Sequence, residues 1–424
     1  MDPEAADTAP DPKLGRGPDS EHGRAPKRGR RTLAAAAAVL AVGAAYVAAS
    51  ALVPLPAPTL TLEVPATARY AVDGAPVQEI VDAEQQPTAV GWLDGDDVWA
   101  NDDEAHPLAS ITKLVTVLVG QEAAPLALGE DGPSYTWTEA DVEFQAELAE
   151  LDGIAYPIPA GTDVTRRQLL TLALVPSAND FATAYARSVF GDNDAFVAAA
   201  TDWAEREGLD SLRVTEPSGM DDGNVASAAD VVLLARLTLF DPVLTEIVDT
   251  EAASFPWGIG EVENTNPLLG TLPDAVGVKT GHTDTAGYSL AAAASGELGG
   301  RELTRIAVVL GRDSLDERED DARDLLSRLA TLPEEHEVTE EGEYLGTLTS
   351  ADGQFVEVSV DDTYSEVLIP GEVITRAVRT TAAEDSVIVA GPQGARHIPV
   401  VREGTFSEPS LWWRLTHPHV LFTG

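Results

Sequence analysis

The sequence predicts a mixed α/β protein of the α+β kind, in which helices pack over an antiparallel sheet. Residues 85–332 mix short apolar strand patterns with helical patterns, which favours this arrangement. An uncharged stretch over residues 32–53 precedes this region, and strand patterns separated by turns follow it over residues 336–405. The chain is therefore also expected to carry an N-terminal transmembrane helix and a small C-terminal all-β domain.

The first 53 residues indicate a membrane anchor. Residues 1–31 are polar and rich in Pro and Gly, which predicts a disordered cytoplasmic tail. Residues 32–53 are uncharged over 22 positions, enough to span a bilayer core of about 30 Å at about 1.5 Å per residue. The basic run before them predicts that the remainder of the chain lies outside the cell membrane. A cleaved signal peptide is the alternative, because Ala48-Ala49-Ser50 offers small residues for cleavage, but the length favours an anchor.

The elements that follow can be placed in order. Residues 54–84 are predicted to be an extracytoplasmic linker, because their prolines favour an extended chain. Apolar runs at 89–92 and 98–100 flank the turn Asp94-Gly95 and predict a hairpin. Helices are expected from Ser110, a favoured capping residue, through residue 119 and over residues 165–174, 194–207, 227–239 and 320–329. Strands are expected over residues 275–280, 288–294 and 305–310, and then over 344–348, 355–360, 366–369, 387–389 and 397–401. Residues 406–424 are expected to form a C-terminal tail.

Composition excludes several kinds of function. The chain has 27 basic and 71 acidic residues, and its formal net charge of −44 should repel nucleic acid. It contains no cysteine, so disulfides, thiol catalysis and Cys-ligated zinc are excluded. The seven histidines form no His-Glu-x-x-His pattern. We therefore predict no metal, no cofactor and no nucleic-acid partner.

The first of three chemical motifs is Ser110-Ile111-Thr112-Lys113. A serine hydroxyl becomes an effective nucleophile when a neighbouring base takes its proton. Ser110 and Lys113 are three residues apart, so on a helix they share one face. Burial and a second lysine would lower the pKa of Lys113 and make it a base. Taken alone, the motif also fits a helix cap followed by a surface lysine.

The other two motifs are Ser177-Ala178-Asn179 and Lys279-Thr280-Gly281. In the former, a hydroxyl and an amide two residues apart can point into one cleft for proton transfer and substrate placement. In the latter, a cation beside a hydroxyl suits a substrate carboxylate, and the glycine lets a substrate backbone approach the strand. Alone, each is an ordinary helix start or strand end. Their order, with first residues 67 and then 102 positions apart, favours a serine acyltransferase with a lysine base.

These motifs resemble those of the serine D-alanyl-D-alanine carboxypeptidases, which are low-molecular-mass penicillin-binding proteins of the penicilloyl-serine transferase and β-lactamase-like superfamily. The resemblance covers about residues 85–330 and implies a β-lactamase/D,D-peptidase-like catalytic domain over residues 85–332. It extends to the segments Pro217-Ser218-Gly219-Met220, Ser227-Ala228-Ala229-Asp230, Asn264-Thr265-Asn266 and Ala286-Gly287-Tyr288.

The resemblance implies roles for the residues of the first two motifs. Ser110 would attack the carbonyl between two terminal D-alanines, with Lys113 as its base. Ser177 and Asn179 would assist proton transfer and substrate placement.

It also implies a carboxylate and oxyanion site around the third motif. Lys279 and Thr280 would bind the terminal carboxylate of the substrate beside Gly281, and Arg318 resembles a family arginine near that carboxylate. The backbone N–H of His282 would form the oxyanion hole with that of the nucleophile.

The expected function is a membrane-anchored D,D-carboxypeptidase that removes the last D-Ala from peptidoglycan stem peptides through an acyl-enzyme and is inhibited by β-lactams. Within the same fold, D,D-endopeptidase, transpeptidase and β-lactamase are alternatives. A β-lactamase is disfavoured because no counterpart of its deacylating glutamate is recognised and because it needs no β domain. A catalytically silent penicillin-binding sensor or scaffold is the alternative from another class. The intact Ser110, Lys113 and Lys279 favour the enzyme.

Overall fold

The computed structural model describes residues 28–380 and 385–422. The helices in these ranges are α1 (Arg28–Leu52), α2 (Ala75–Asp82), α3 (Thr112–Ala123), α4 (Glu139–Glu150), α5 (Arg166–Leu174), α6 (Asn179–Phe190), α7 (Asn193–Glu207), α8 (Ala228–Phe240), α9 (Pro242–Val248), α10 (Leu315–Leu329), α11 (Leu411–Thr416) and α12 (Pro418–Phe422). The strands are β1 (Thr59–Leu62), β2 (Thr67–Ala71), β3 (Thr88–Trp92), β4 (Val98–Ala100), β5 (His106–Pro107), β6 (Ser134–Thr136), β7 (Asp163–Thr165), β8 (Val225–Ala226), β9 (Ala252–Phe255), β10 (Gly260–Glu263), β11 (Ala275–Thr283), β12 (Gly287–Leu298), β13 (Arg301–Arg312), β14 (Glu334–Thr339), β15 (Tyr344–Thr349), β16 (Phe355–Val360), β17 (Tyr364–Leu368), β18 (Val373–Thr380), β19 (Asp385–Gly391) and β20 (Gly394–Glu403).

These elements divide into two compact units. The larger unit holds Leu62–Gly346 and Val358–Val401, and it contains all of the predicted site residues. The smaller unit holds the residues up to Thr61, Thr347–Glu357 and the residues from Arg402 onward.

An antiparallel sheet in the order β11-β12-β13-β3-β4 lies at the centre of the larger unit. Its second strand, β12, contains four fully buried alanines at positions 291–294. Because side chains alternate between the faces of a strand, Ala291 and Ala293 join one hydrophobic core while Ala292 and Ala294 join another. These small side chains allow helices to pack closely on both faces.

Helices cover both faces of this sheet. The core on one face is built from α3 and α5 to α8, and the core on the other face contains α2 and α10. Helix α8 contacts β3 and β13, and α10 contacts β12 and β13. The predicted antiparallel sheet with helices packed over it is therefore confirmed.

Side-chain caps explain where several of these helices begin. Thr165 caps α5 and forms a capping box with Gln168, so the helix predicted over residues 165–174 begins one residue later. Ser227 caps α8 in the same way, with its hydroxyl accepting from the backbone N–H of Asp230.

The segment predicted to be a linker, residues 54–84, contains β1, β2 and α2. Helix α2 buries Val77, Ile80 and Val81, which repeat at the spacing of one helix face. Strand β2 pairs with β18, opposing Ala71 to Val373. Strands also dominate the chain beyond residue 333: β18 pairs with β19, β19 with β20, and β14 with β17. The expected C-terminal all-β region is present.

The N-terminal helix α1 is a candidate membrane span. Arg31–Leu52 has a mean hydropathy of 2.0, and its most apolar window contains no buried residue. It is long and apolar enough to cross a membrane, a test that an N-terminal signal sequence also passes. Residues 1–27 of the predicted cytoplasmic tail lie outside the described residues. So do the last two residues of the predicted C-terminal tail, 423 and 424.

Candidate active site

Ser110 and Lys113 meet at the start of α3. A 3₁₀ turn over Ala109–Ile111 leads directly into this helix, and the Nζ of Lys113 lies 2.8 Å from the Oγ of Ser110. The prediction that Ser110 caps the helix is wrong. It lies within the 3₁₀ turn, and no side-chain cap bond is formed at either helix start in this part of the described chain. Its hydroxyl faces Lys113 instead.

Lys113 is fully buried, and burial lowers its pKa to about 7. The carboxylates of Glu216 and Asp180 oppose this shift by raising the pKa. The Nζ of Lys113 also donates to the carbonyl oxygen of Ser218 over 2.6 Å. A neutral amine in this position can donate to that carbonyl while its lone pair accepts the proton of the Ser110 hydroxyl.

Glu216, which belongs to none of the three motifs, organises the loop that carries this carbonyl. Its carboxylate accepts from the backbone N–H groups of Ser218 and Gly219 over 2.6 Å each, and from that of Met220 over 2.8 Å. It also accepts from the Asn224 side chain over 2.7 Å. A lone acidic residue before Pro217 gives no sequence signal for this role, since its partners lie within its own turn.

Ser177 and Asn179 lie where the chain turns into α6. The backbone of Ser177 has φ 63°, a left-handed conformation that non-glycine residues rarely adopt. Its Oγ is buried and has no hydrogen-bond partner among the described residues. The amide of Asn179 accepts from the N–H of Ile154 over 2.9 Å and donates to the carbonyl of Ser218 over 3.3 Å. Asn179 therefore also braces the two loops beside the nucleophile.

Lys279 and Thr280 lie within β11, which continues to Thr283 rather than ending at the motif. Thr280 Oγ1 lies 2.6 Å from Thr265 Oγ1, and Lys279 Nζ lies 3.4 Å from the same Thr265 oxygen. Burial, together with the positive charges of Lys113 and Arg318, lowers the pKa of Lys279. An incoming carboxylate would offset this repulsion and restore the charge on Lys279.

Gly281 is required by the packing of the nucleophile turn. A Cβ added to it would lie 2.6 Å from the carbonyl oxygen of Leu108, so only glycine allows β11 to approach this turn. The next residue, His282, is exposed and stacks on Tyr288 with ring centroids 3.9 Å apart. Its Nδ1 lies 3.1 Å from the carbonyl oxygen of Gly287, which orients the imidazole along the strand.

A cleft of about 450 Å³ is lined by residues of all three motifs, whereas the buried Lys113 and Lys279 do not line it. Its walls include Ser110, Ser177, Asn179, Thr265, Thr280, Gly281, His282 and Arg318. Arg318, on α10, is only 6% exposed, and its Nε has no partner among the described residues. A buried cation facing a cleft beside two hydroxyls is suited to a carboxylate ligand. In the described ranges, no group of three or more His, Asp or Glu side chains is arranged to hold a metal ion.

Comparison with known proteins identifies the family. The family model described as D-alanyl-D-alanine carboxypeptidase, peptidase S11, matches residues 98–314, just over half of the chain. The chain is 35% identical over 239 residues to D-alanyl-D-alanine carboxypeptidase DacB2 of Mycobacterium tuberculosis, covering 55% of this chain and 77% of that protein. It is 31% identical over 195 residues to a D-alanyl-D-alanine endopeptidase of Pseudomonas aeruginosa, covering 45% of this chain and 60% of that protein.

Solved structures agree in fold. Penicillin-binding protein 6B of Escherichia coli has a TM-score of 0.55 at 22% identity, over 76% of this chain and 96% of that one. The D-alanyl-D-alanine carboxypeptidase DacD of Francisella tularensis has a TM-score of 0.53 at 20% identity, over 77% of this chain and 95% of that one. The predicted resemblance is confirmed by the family match and by the sequence relatives. The chain belongs to the D-alanyl-D-alanine carboxypeptidase family of serine peptidases, peptidase S11.

Proposed function

We propose that this serine-type D-Ala-D-Ala carboxypeptidase removes the terminal D-alanine of peptidoglycan stem peptides through an acyl-enzyme on Ser110. The observation that carries the proposal is the 2.8 Å contact between the Oγ of Ser110, which lines the cleft, and the Nζ of the fully buried Lys113. A nucleophile within hydrogen-bond reach of a base with a lowered pKa is the arrangement that serine acyl transfer requires.

The carboxylate of the substrate would be bound at the end of the cleft by Lys279, Thr280 and Arg318. This places the last peptide bond over Ser110. Lys113 takes the hydroxyl proton as Ser110 attacks the carbonyl carbon, and the backbone N–H groups of Ser110 and His282 stabilise the oxyanion.

Collapse of the tetrahedral intermediate breaks the C–N bond and releases D-alanine. The leaving amine needs the proton that Lys113 took from Ser110, and Ser177 is suited to pass it, because its hydroxyl has no hydrogen-bond partner among the described residues. Asn179 positions the peptide and braces the loops. Water then attacks the acyl-enzyme, which restores the Ser110 hydroxyl and gives the shortened stem peptide. A β-lactam would acylate the same serine.

We infer that the enzyme lies at the cell membrane, with α1 as a single-pass anchor and the catalytic unit on the extracytoplasmic side. The basic residues that precede the apolar segment, Arg24, Lys27, Arg28, Arg30 and Arg31, support this orientation. The peptidoglycan substrate lies on that side.

Endopeptidase activity is a second candidate, because the Pseudomonas aeruginosa relative bears that name. Carboxypeptidase activity is favoured by the buried guanidinium of Arg318 in the cleft wall. The test is mass spectrometry of a pentapeptide ending in D-Ala-D-Ala after incubation with the full chain. Loss of one alanine, absent in Ser110→Ala, is expected. Cleavage of a cross-linked dimer with an intact pentapeptide would overturn the proposal.

A further inference from the structure

The C-terminal helix α11 packs against the end of α1 within the smaller unit, and α12 follows it and packs against α11. Nη1 of Arg414 donates to the carbonyl oxygen of Val53 over 2.9 Å and to that of Ser50 over 3.3 Å. One helical turn earlier, the hydroxyl of Tyr46 donates to the carbonyl oxygen of Leu415 over 2.6 Å. The contact therefore extends along the last turns of α1.

These bonds satisfy groups that a membrane helix cannot leave unpaired. The last carbonyls of a helix have no partner within the helix and carry its partial negative charge. A guanidinium suits them because it presents several donors and a positive charge. Ser50 is fully buried by this packing, whereas the other residues of α1 from position 31 on remain exposed. The C-terminal segment thus matches the end of α1 in shape and in charge.

The outer surface of the helix pair is apolar. Trp412 is 75% exposed, and Leu411 and Phe422 are each 49% exposed. Aromatic side chains of this kind are enriched where a membrane meets water. Because α11, which carries Leu411 and Trp412, packs against the end of the candidate membrane span, we assign the outer interface of the same bilayer as the occupant of this surface.

We infer that residues 410–422 dock on the outer end of α1, hold it as a retained anchor, and insert Trp412 into the lipid interface. The inference rests on the proposed membrane location. Cleavage next to Ala48-Ala49-Ser50 would remove Tyr46 and its hydrogen bond to Leu415, so this contact favours the uncut chain over a cleaved signal peptide.

Cysteine cross-linking in native membranes tests the docking, because the chain has no cysteine of its own. The thiols of Tyr46→Cys and Leu415→Cys are joined by a bismaleimide with a reach of about 8 Å. The matched control is Val39→Cys with Leu415→Cys. Position 39 lies on the same face of α1 as position 46 but about 10 Å further from the contact. We expect the first pair to cross-link within one chain and the control pair to give at least about tenfold less product, by the helix rise that separates them.

Two labels test the two proposals separately: an N-terminal tag reports whether the anchor is retained, and a fluorescent penicillin reports whether the enzyme is acylated. The inference predicts that the penicillin-labelled band keeps the tag and carries the cross-link. A labelled band that has lost the tag, or equal cross-linking of both pairs, overturns the inference and leaves the enzyme proposal intact. Cross-linking in a tagged chain that penicillin does not label supports the docking and contradicts the enzyme proposal.

The lipid contact has its own measurement. In vesicles containing lipids brominated near the headgroup, Trp412→Phe should lose most of the quenching of tryptophan fluorescence seen in the wild type. Trp257→Phe, in the larger unit, should retain it. Equal quenching in Trp412→Phe and the wild type would contradict insertion of Trp412.

Discussion

The Nζ of Lys113 lies 2.8 Å from the Oγ of Ser110, and the lysine that makes this contact is fully buried. Burial therefore does two things at once. It lowers the pKa of the amine to about 7, and it holds the amine against the Ser110 hydroxyl. Both are what the proposed mechanism requires of a lysine base before substrate enters.

The pH dependence of acylation follows from this pKa. Because the pKa of Lys113 is lowered to about 7, the neutral base form increases as the pH rises through 7. The rate of acylation by a fluorescent penicillin should rise with pH to a plateau, and be about tenfold lower at pH 6 than on the plateau. Thermal unfolding at each pH serves as the control for folding. A rate that is flat or falls between pH 6 and pH 8 would contradict a lysine base.

Substitution of Glu216 should shift this profile. Its carboxylate raises the pKa of Lys113, so Glu216→Gln is expected to move the midpoint of acylation to lower pH. The plateau should also fall, because the loop carrying the Ser218 carbonyl loses charge-assisted hydrogen bonds. Asp222→Asn is the matched control, since it removes an exposed carboxylate from the same loop. A Glu216→Gln profile that coincides with that of the control would show that Glu216 does not act on Lys113.

Arg318 should matter for substrates with a free terminal carboxylate. The change Arg318→Ala is expected to lower kcat/KM for a D-Ala-D-Ala peptide by about 10- to 100-fold, the range of a lost charged hydrogen bond. It should have little effect on a substrate with a C-terminal amide. Arg323→Ala, which removes a surface partner of Glu319 on the same helix, should leave kcat/KM for both the acid and the amide substrate unchanged. Equal losses on the acid and the amide would place Arg318 outside the carboxylate site.

Gly219 should be indispensable for the geometry of the nucleophile. An added Cβ would lie 2.0 Å from the carbonyl oxygen of Ala109. Because that oxygen belongs to the backbone, the clash cannot be relieved by turning a side chain. Gly219→Ala should therefore displace the turn that carries Ser110 and reduce acylation on the order of 100-fold. Gly129→Ala has a similar positive φ but open space around the new Cβ, so it isolates the cost of the backbone conformation, about 1 kcal/mol. Comparable acylation by the two variants would exclude the close approach as the cause.

The sequence was sufficient to predict the chemistry because catalysis here depends on residue types at fixed local spacing. Ser110 and Lys113 are three apart, so the 3₁₀ turn that leads into α3 keeps them within one turn of each other. The order of the three motifs then identified the family. The antiparallel sheet was also predictable, since β11, β12 and β13 are consecutive in the chain and are joined by short turns.

Contacts between distant segments were not predictable from these patterns. Glu216 acts on Lys113 through a loop more than a hundred residues further along the chain, and nothing in its own neighbourhood signals this. Ser110 was expected to cap a helix because serine favours that position. It lies instead within a 3₁₀ turn, where its hydroxyl contacts Lys113. Arg414 and α1 are separated by most of the chain, so their contact depends on the folded structure.

The most direct measurement is the site of the covalent adduct formed with penicillin. Intact-mass and peptide mapping of the treated chain should find one penicilloyl group, on the peptide that contains Ser110. The variant Lys113→Ala should remain folded and carry no adduct at neutral pH. An adduct on another residue, or unchanged labelling of Lys113→Ala, would contradict Ser110 as a nucleophile activated by Lys113.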